Sequence, residues 1–582
     1  MAKRLLCFPM LLTAVLLMAG PAEAGRLTLQ VEHCWGDVPL EVGKVAGKVA
    51  DQAVTVTRLA YLLSQPRLLT DGGQWVASGG WVAYLDAGRG RTRCVLEGMP
   101  SGRYRALRFD VGLVESVDRM DPARRPPGHP LHPDVSGLHW GWRGGYVFLA
   151  MEGRVRRDDE DESGWSYHLA GEPCRGTVEV AAELDLQSAQ VMSLRFDAAR
   201  LFGAVHAVDP AAEPVTHAAG DDPLAGRLAE NVLRAFSLSG VGPEVERVPD
   251  EVAGETAGRV PAMLAGKVPA HFPQVGWPAD NEPVPAGVAL GERLFRDVRL
   301  SGNRTLSCAS CHQEAAALSD PRRFSPGSDG QPGRRQAMPL FNLAWKPSYF
   351  WDGRSPSLRH QVLQPIADPR EMHSSPEEAV RRIADDKLYR EEFGRVFGSP
   401  GVDAGRLARA LEQFLLTRIS GRAKIDRVLA REAELSGSEA RGFALFFGEN
   451  DPGHGMRGAD CFHCHGGAHF TNHQFADNGL DADGQRSDEG RFAVTGQESD
   501  RGKFMVPSLR NVALTAPYMH DGRFATLEAV VEHYNGGLQP SVGLDANLAR
   551  HRARGGLGLS ADARADLVAF LRTLTDEELE KR

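Results

Sequence analysis

Two short strings constrain this chain more than anything else in it: Cys308-Ala309-Ser310-Cys311-His312 and Cys461-Phe462-His463-Cys464-His465. In a C-x-x-C-H pattern the two thiols can bond the vinyl groups of a haem, while the histidine that follows takes the iron from one face. A lone C-x-x-C also serves zinc and redox sites, but structural zinc needs a different ligand spacing. Two copies, each followed at once by histidine, therefore imply two covalently attached c-type haems. Cys308, Cys311, Cys461 and Cys464 are the attachment points, and His312 and His465 the proximal iron ligands. His463 lies inside the second motif and reads as a bystander.

The start of the chain fits that chemistry. Lys3 and Arg4, an apolar run over 5–18 and Ala22-Glu23-Ala24 read as a cleavable signal peptide, residues 1–24. The run is too short to span a membrane and no other stretch is a candidate, so a periplasmic or exported protein is expected. A net charge of −9 argues against nucleic acid as a partner, because phosphate binding needs concentrated Lys and Arg. Cleavage removes Cys7 and leaves Cys34, Cys94 and Cys174 outside the haem motifs. In an oxidising compartment one pair of these is expected to form a disulfide, and the spare thiol is a candidate copper ligand.

With 582 residues the chain has room for two to four domains. Alternating apolar residues predict strands over 26–31, 53–61, 81–85, 104–114, 146–155, 177–184 and 191–196. Gly-, Pro- and Asp-rich breaks separate them, which suggests an antiparallel β-sandwich-like domain over 25–240. Within it, 221–236 reads as a helix with Leu224, Leu228, Val232, Leu233 and Phe236 on one side. A Pro- and Gly-punctuated linker, 241–270, leads to a mainly α-helical half. There helical spacing runs over 288–295, 376–383, 404–416, 438–447, 527–534 and 560–574, several stretches opening with Ser, Asp or Pro. One motif per lobe divides this half into a first lobe, 271–440, and a second, 441–582.

Beyond the haem motifs, residues 270–578 resemble the bacterial di-haem cytochrome c peroxidase family, including its MauG-like (MbnH-like) branch. The resemblance rests on Gly291-x-x-Leu294-Phe295, Leu300-Ser301, Phe350-Trp351-Asp352-Gly353-Arg354, Gln361, Pro365, Asp368-Pro369-x-Glu371-Met372, Phe504-x-Val506-Pro507-Ser508-Leu509-Arg510-Asn511, Thr515-x-Pro517-Tyr518-x-His520-Asp521-Gly522 and His533-Tyr534. It implies that Gln361, Pro365 and Glu371 face the open side of the first haem, where a carboxylate can move a proton between the oxygens of hydrogen peroxide. It implies Trp351 between the haems as a charge relay. It places Tyr534 as sixth ligand of the second haem, where conventional peroxidases have Met; Met519, close in sequence, is the rival. Asn342, Thr515 and Pro517 match positions that hold an inter-haem calcium, largely through carbonyl oxygens.

The stretch Leu138-His139-Trp140-Gly141-Trp142-Arg143-Gly144-Gly145-Tyr146-Val147-Phe148-Leu149, with Glu152-Gly153, His168-Leu169, Cys174, Asp185-Leu186 and the segment from Thr216-His217 to Phe236, is similar to the MbnP-like family of exported copper-binding proteins. That resemblance implies a copper site of histidines plus kynurenine, made by oxidising a tryptophan with a MauG-like partner enzyme. Imidazole suits copper, as does the amine of kynurenine, whereas indole nitrogen is a poor ligand. The expected ligands are His168 and His217, with His33 third; Trp140 or Trp142, ahead of Trp165, is the expected oxidised residue. Ala170 departs from the family's usual Gly after His-Leu, and His129, His132 and His139 form a further histidine cluster. Both halves together imply an oxidoreductase that uses peroxide to convert its own tryptophan and create a copper site. The alternatives are a conventional peroxidase fed by a small redox protein, and a copper-binding protein whose haems only pass electrons.

Overall fold

The computed structural model describes residues 24–139, 145–156, 162–218, 222–244, 260–452 and 455–580. Trp140 and Trp142, residues 1–23 of the expected signal peptide and much of the expected linker lie outside the described residues.

The N-terminal half is a two-sheet β-domain. One sheet runs Phe236–Pro243, Gln190–Asp197, Ala24–Trp35 and Val38–Pro39, with Arg93–Pro100 also pairing with Ala24–Trp35. The other runs Gly176–Asp185, Arg103–Val111, Gln52–Thr70, Val147–Arg156, Ser163–Ala170 and Val215–Thr216. Inward residues of both, among them Leu29, Val31, Leu59, Phe109, Leu149 and Phe196, share a single core. The strand pattern predicts an antiparallel sandwich, but two pairs are parallel: Ala24–Trp35 with Gln190–Asp197, and Ser163–Ala170 with Val215–Thr216. Parallel neighbours cannot be joined by a hairpin, and in each case a long stretch of other structure lies between the two strands. The helix expected over 221–236 is Pro223–Val232, capped by the Asp222 carboxylate on the Leu224 N–H; the chain then turns directly into the strand Phe236–Pro243.

The expected disulfide is absent. Cys34, Cys94 and Cys174 are all free thiols. Cys94 pairs across the sheet with Leu29, five residues along the strand from Cys34, which is about 16 Å at a strand's rise. Cys174 sits in a separate turn, Glu172–Cys174, after Ser163–Ala170.

The helical half has two cores, one from Leu264 to Leu416 and one from Ala423 to Leu574. Each is built around the same contact. Helix Pro285–Phe295 packs on Ala404–Leu416, and Gly437–Phe446 on Ala561–Arg572. At the crossings a side chain on Gly291 would overlap the Ala410 carbonyl, and one on Gly442 the Asp566 carbonyl. Only glycine lets the helix backbones approach so closely. Asp403, Ser436 and Ser560 cap three of these four helices through Arg406, Glu439 and Ala563 N–H groups.

The β-domain docks on the second lobe. Strand Ser163–Ala170 lies against helix Ala546–Ala553, so tightly that a Cβ on Gly164 would overlap the Ala546 carbonyl oxygen. A second tie runs to the first lobe, where the His132 ring meets the Gln274 carbonyl at 2.7 Å. Among the described residues, no helix is long and apolar enough to cross a membrane.

Candidate haem and metal sites

The first haem motif forms a short helix, Cys308–Cys311, opened by Ser307. His312 donates Nδ1–H to the Leu318 carbonyl at 2.9 Å, which fixes the ring and leaves Nε2 for iron. Burial holds its pKa below the ordinary value, keeping the imidazole neutral as ligation requires. The second motif repeats the device, with His465 Nδ1 3.1 Å from the Phe470 carbonyl and burial lowering its pKa to about 4. The donor set and ring orientation of both motifs therefore fit a haem.

The segment that carries Glu371 folds over the first motif. Its backbone is pinned on several sides: Met372 N–H donates to the Pro365 carbonyl at 3.1 Å, Gly302 N–H to Met372 at 2.7 Å and Ser328 N–H to Glu371 at 2.7 Å. The carboxyl itself makes no hydrogen bond among the described residues. Burial, reinforced by Asp368 and opposed by Arg354, raises its pKa to about 7. Its charge helps to raise the thiols of Cys308 and Cys311, which burial raises most. Gln361 ends the helix Leu358–Gln361, and Pro365 stands in the first turn of the next, Gln364–Ala367. Trp351 joins the lobes. Its indole N–H donates to the Gln336 carbonyl at 2.9 Å, and its own carbonyl accepts from Met505 N–H of the second lobe at 2.7 Å.

Around the second motif, Tyr534 lies in a single π-helical turn, His533–Gly537, that continues helix Leu527–Glu532. Such turns recur at functional sites because they re-aim a side chain. The Asn478 side-chain amide donates to the Tyr534 hydroxyl and to the Met519 sulfur, each at 3.4 Å, and the Asn478 backbone carbonyl accepts from His533 Nε2 at 2.9 Å. Both rival sixth ligands thus converge on one amide. Burial pushes the Tyr534 phenol up to about 12, with the nearby Cys464 and Cys461 adding to it.

Asn342 is buried at the junction of the lobes. Its amide exchanges two 2.9 Å hydrogen bonds with the backbone of Ser420, whose hydroxyl accepts from Asn511 at 2.9 Å. Asn511 opens the segment that leads to Thr515 and Pro517. The Asn342 amide is therefore already occupied, and Thr515 Oγ1 is turned to the Val512 carbonyl at 3.2 Å.

The third site lies where the β-domain meets the second lobe. Alternation along Ser163–Ala170 sends Trp165, Tyr167 and Leu169 into the β-domain core and Gly164, Ser166 and His168 towards the haem lobe. Glu152, opposite Ser166 on the neighbouring strand, receives His168 Nε2 at 2.9 Å and Arg58 at 2.8 Å. His217 follows strand Val215–Thr216, which is held by a hydrogen bond from Thr216 to Asp222. His168 Nδ1 and His217 Nδ1 are 3.1 Å apart. From the other side comes His463, so that ring nitrogens of His168, His217 and His463 all lie within 4.8 Å of one another. Glu449 joins them, its Oε2 2.9 Å from His217 Nε2 and 3.2 Å from His463 Nε2. Burial opposes ionisation of Glu449, yet His217 and His463 hold its carboxyl well below the usual range.

Two expectations are corrected here. His33 is not part of the cluster: it lies in the other sheet, its Nε2 2.9 Å from the Tyr61 hydroxyl and its ring against Phe196. His463, expected as a bystander within its motif, instead lies in the cluster beside His168 and His217. Of the other histidines, His129 bonds the Leu131 N–H, and His139 packs edge-on to Tyr146 and lines a cavity of about 30 Å³ with His168 and His463. Sequence reasoning also missed Asn478, Glu449 and Asp460, the last a carboxylate that gathers with Glu449 and His463. An acidic run ahead of the second motif (Glu449, Asp451, Asp460) was a usable signal for the two carboxylates; nothing near Asn478 marks it.

Comparison with known proteins accords with this geometry. A family model described as di-haem cytochrome c peroxidase matches residues 285–434, and one described as MbnP matches residues 24–218. The methylamine utilization protein MauG of Methylorubrum extorquens is 38% identical over 304 residues, 52% of this chain and 81% of that protein. The cytochrome c551 peroxidase of Nitrosomonas europaea is 34% identical over 330 residues, 54% of this chain and 91% of its own. A solved structure described as a MauG-like protein associated with microbial copper homeostasis aligns with a TM-score of 0.48 at 36% identity, covering 54% of this chain and 95% of that one. The chain belongs to the di-haem cytochrome c peroxidase family, and carries an MbnP domain ahead of its two haem lobes.

Proposed function

We propose that this protein is an exported, periplasmic oxidoreductase that uses hydrogen peroxide to oxidise a tryptophan of its own β-domain to kynurenine, and so creates a copper site. The observation that carries the reading is the docking: His168 and His217 of the β-domain meet the attachment loop of the second haem. When bound, the haems supply peroxide cleavage and temporary storage of oxidising equivalents. Glu371, with a pKa near 7, suits a group that takes a proton from one peroxide oxygen and returns it to the other. Gln361 and Pro365 shape the same face, and Trp351 spans the lobes. Tyr534 offers the second haem a hard oxygen ligand, which favours higher iron oxidation states over simple electron transfer. A calcium at Asn342, Thr515 and Pro517, bound through backbone carbonyls, would brace the lobe junction.

The donor chemistry at the domain interface fits copper, since converging imidazoles are good ligands for it. Trp165 is the poorer candidate for oxidation, being fully buried on the core side of its strand, away from His168. Trp140 and Trp142 follow His139, which shares a cavity with His168 and His463. Each peroxide removes two electrons, so ring opening needs more than one turnover or oxygen as well.

The second reading, a conventional peroxidase drawing electrons from a small redox protein, is favoured by the Met519 sulfur beside Tyr534 on Asn478. Peptide mass spectrometry of the haem-loaded protein after peroxide exposure separates the two. Kynurenine at Trp140 or Trp142, missing in Glu371→Gln, is the result expected. Intact tryptophans throughout, with peroxide consumed at the expense of an added redox protein, would establish the second reading instead.

A further inference from the structure

We infer that the copper site is shared between the two halves of the chain: His463, from within the second haem motif, completes it with His168 and His217. The inference rests on the copper reading above and adds a ligand from the enzyme half.

The two β-domain histidines are already spaced for a metal. Two nitrogens each 2.0–2.1 Å from one ion at a tetrahedral angle stand about 3.3 Å apart, and His168 Nδ1 and His217 Nδ1 are separated by 3.1 Å. Two imidazoles leave coordination positions open, and His463 is the next nitrogen donor at hand, within 4.8 Å of both. Its ring lies 5.0 Å from that of His217 and 5.3 Å from that of His168. The three side chains are almost wholly enclosed, His168 and His217 at 3% exposure each and the His463 side chain at 6%.

The charges around the cluster point the same way. Glu152 is answered by Arg58 and Asp460 by Arg550. Glu449 faces both His217 and His463. A buried carboxylate shared by two imidazoles is the arrangement that orients metal-binding histidines from behind. It also supplies negative charge to offset a cation in a place with little water. His463 differs in this from Ser310, its counterpart in the first motif, whose hydroxyl bonds the Ser307 N–H of its own loop.

The consequence is a metal held by a residue that lies between Cys461 and Cys464 in the sequence, against the second haem. Binding would then lock the β-domain to the lobe, and the metal would report on that haem's electronic state.

The test uses the full haem-loaded chain, treated with peroxide and then titrated with Cu(I) against a chromophoric chelator, and X-ray absorption of the copper-loaded protein. One copper with three imidazoles is expected, and His463→Gln should lower affinity at least ~10- to 100-fold, the loss that removing even an outer partner of a ligand brings. The haem absorbance of the variant checks attachment. Should it fall, the count of imidazoles in the unaltered protein decides alone. Copper bound with two imidazoles, and equally well by His463→Gln, would overturn the inference and leave a β-domain copper site standing. No copper bound by the unaltered chain would remove the copper reading itself, and this inference with it.

Discussion

The two haem lobes are built to one plan and equipped for different work. Both cross a pair of helices at a glycine, Gly291 or Gly442, and both hold the proximal histidine through Nδ1 to a backbone carbonyl five or six residues on. Beside the first motif lies a carboxyl, Glu371, that burial leaves poised near neutrality. The second lobe instead gathers Tyr534 and Met519 on one amide, that of Asn478. The variable pair inside each motif differs as well: Ala309-Ser310 are small and locally bonded, whereas Phe462-His463 reach into the β-domain interface. Proximal scaffolding makes a haem site; what stands opposite it, and what docks on its attachment loop, assigns the chemistry.

Glu371→Gln should break the comparison most severely. Loss of a positioned proton acceptor lowers the rate of peroxide cleavage by roughly 10²- to 10⁴-fold, read by stopped-flow absorbance, while both haems remain attached. Tyr534→Phe, the matching change in the second lobe, should leave peroxide cleavage largely intact and reduce kynurenine formation. Equal losses of peroxide cleavage in both variants would erase the distinction between lobes.

Next in size is the interface. Gly164→Val forces a side chain into the Ala546 carbonyl, and overpacking of this kind costs about 1–3 kcal/mol. The β-domain should then loosen from the second lobe, with faster limited proteolysis between the halves and loss of kynurenine. Peroxide reactivity of the first lobe should survive. The pH profile is a milder probe. The ionised form of Glu371 accepts the proton, so peroxide cleavage should rise with pH by about tenfold per unit below pH 7 and level off above it. The profile should flatten in Glu371→Gln. Smallest is Asn478→Ala, which removes hydrogen bonds each worth about 1 kcal/mol. It should shift the absorbance of the second haem and leave the first unchanged.

Much of this was legible in the sequence because local pattern carried it. The helix over 404–416 and its Asp403 cap follow from spacing and a single side chain. Glu371 and Tyr534 were marked by the motifs around them. Strand Ser163–Ala170, which carries His168, was missed although Trp165, Tyr167 and Leu169 alternate as a strand should. Parallel pairing of Ala24–Trp35 with Gln190–Asp197 was illegible, since register between distant segments leaves no local trace. The histidine cluster was only half legible for the same reason. His168 and His217 belong to one domain's pattern, but their meeting with His463 and Glu449 depends on how two domains dock.

The claim that the docked arrangement is the working one is tested most directly by the rate of kynurenine formation as the haem-loaded protein is diluted. Reaction across the interface within one chain makes the fraction converted per unit time independent of protein concentration, at saturating peroxide, over a hundredfold dilution. A rate that falls in proportion to concentration would mean that chains oxidise one another, and that the contact between His168, His217 and His463 is not the geometry in which the chemistry occurs.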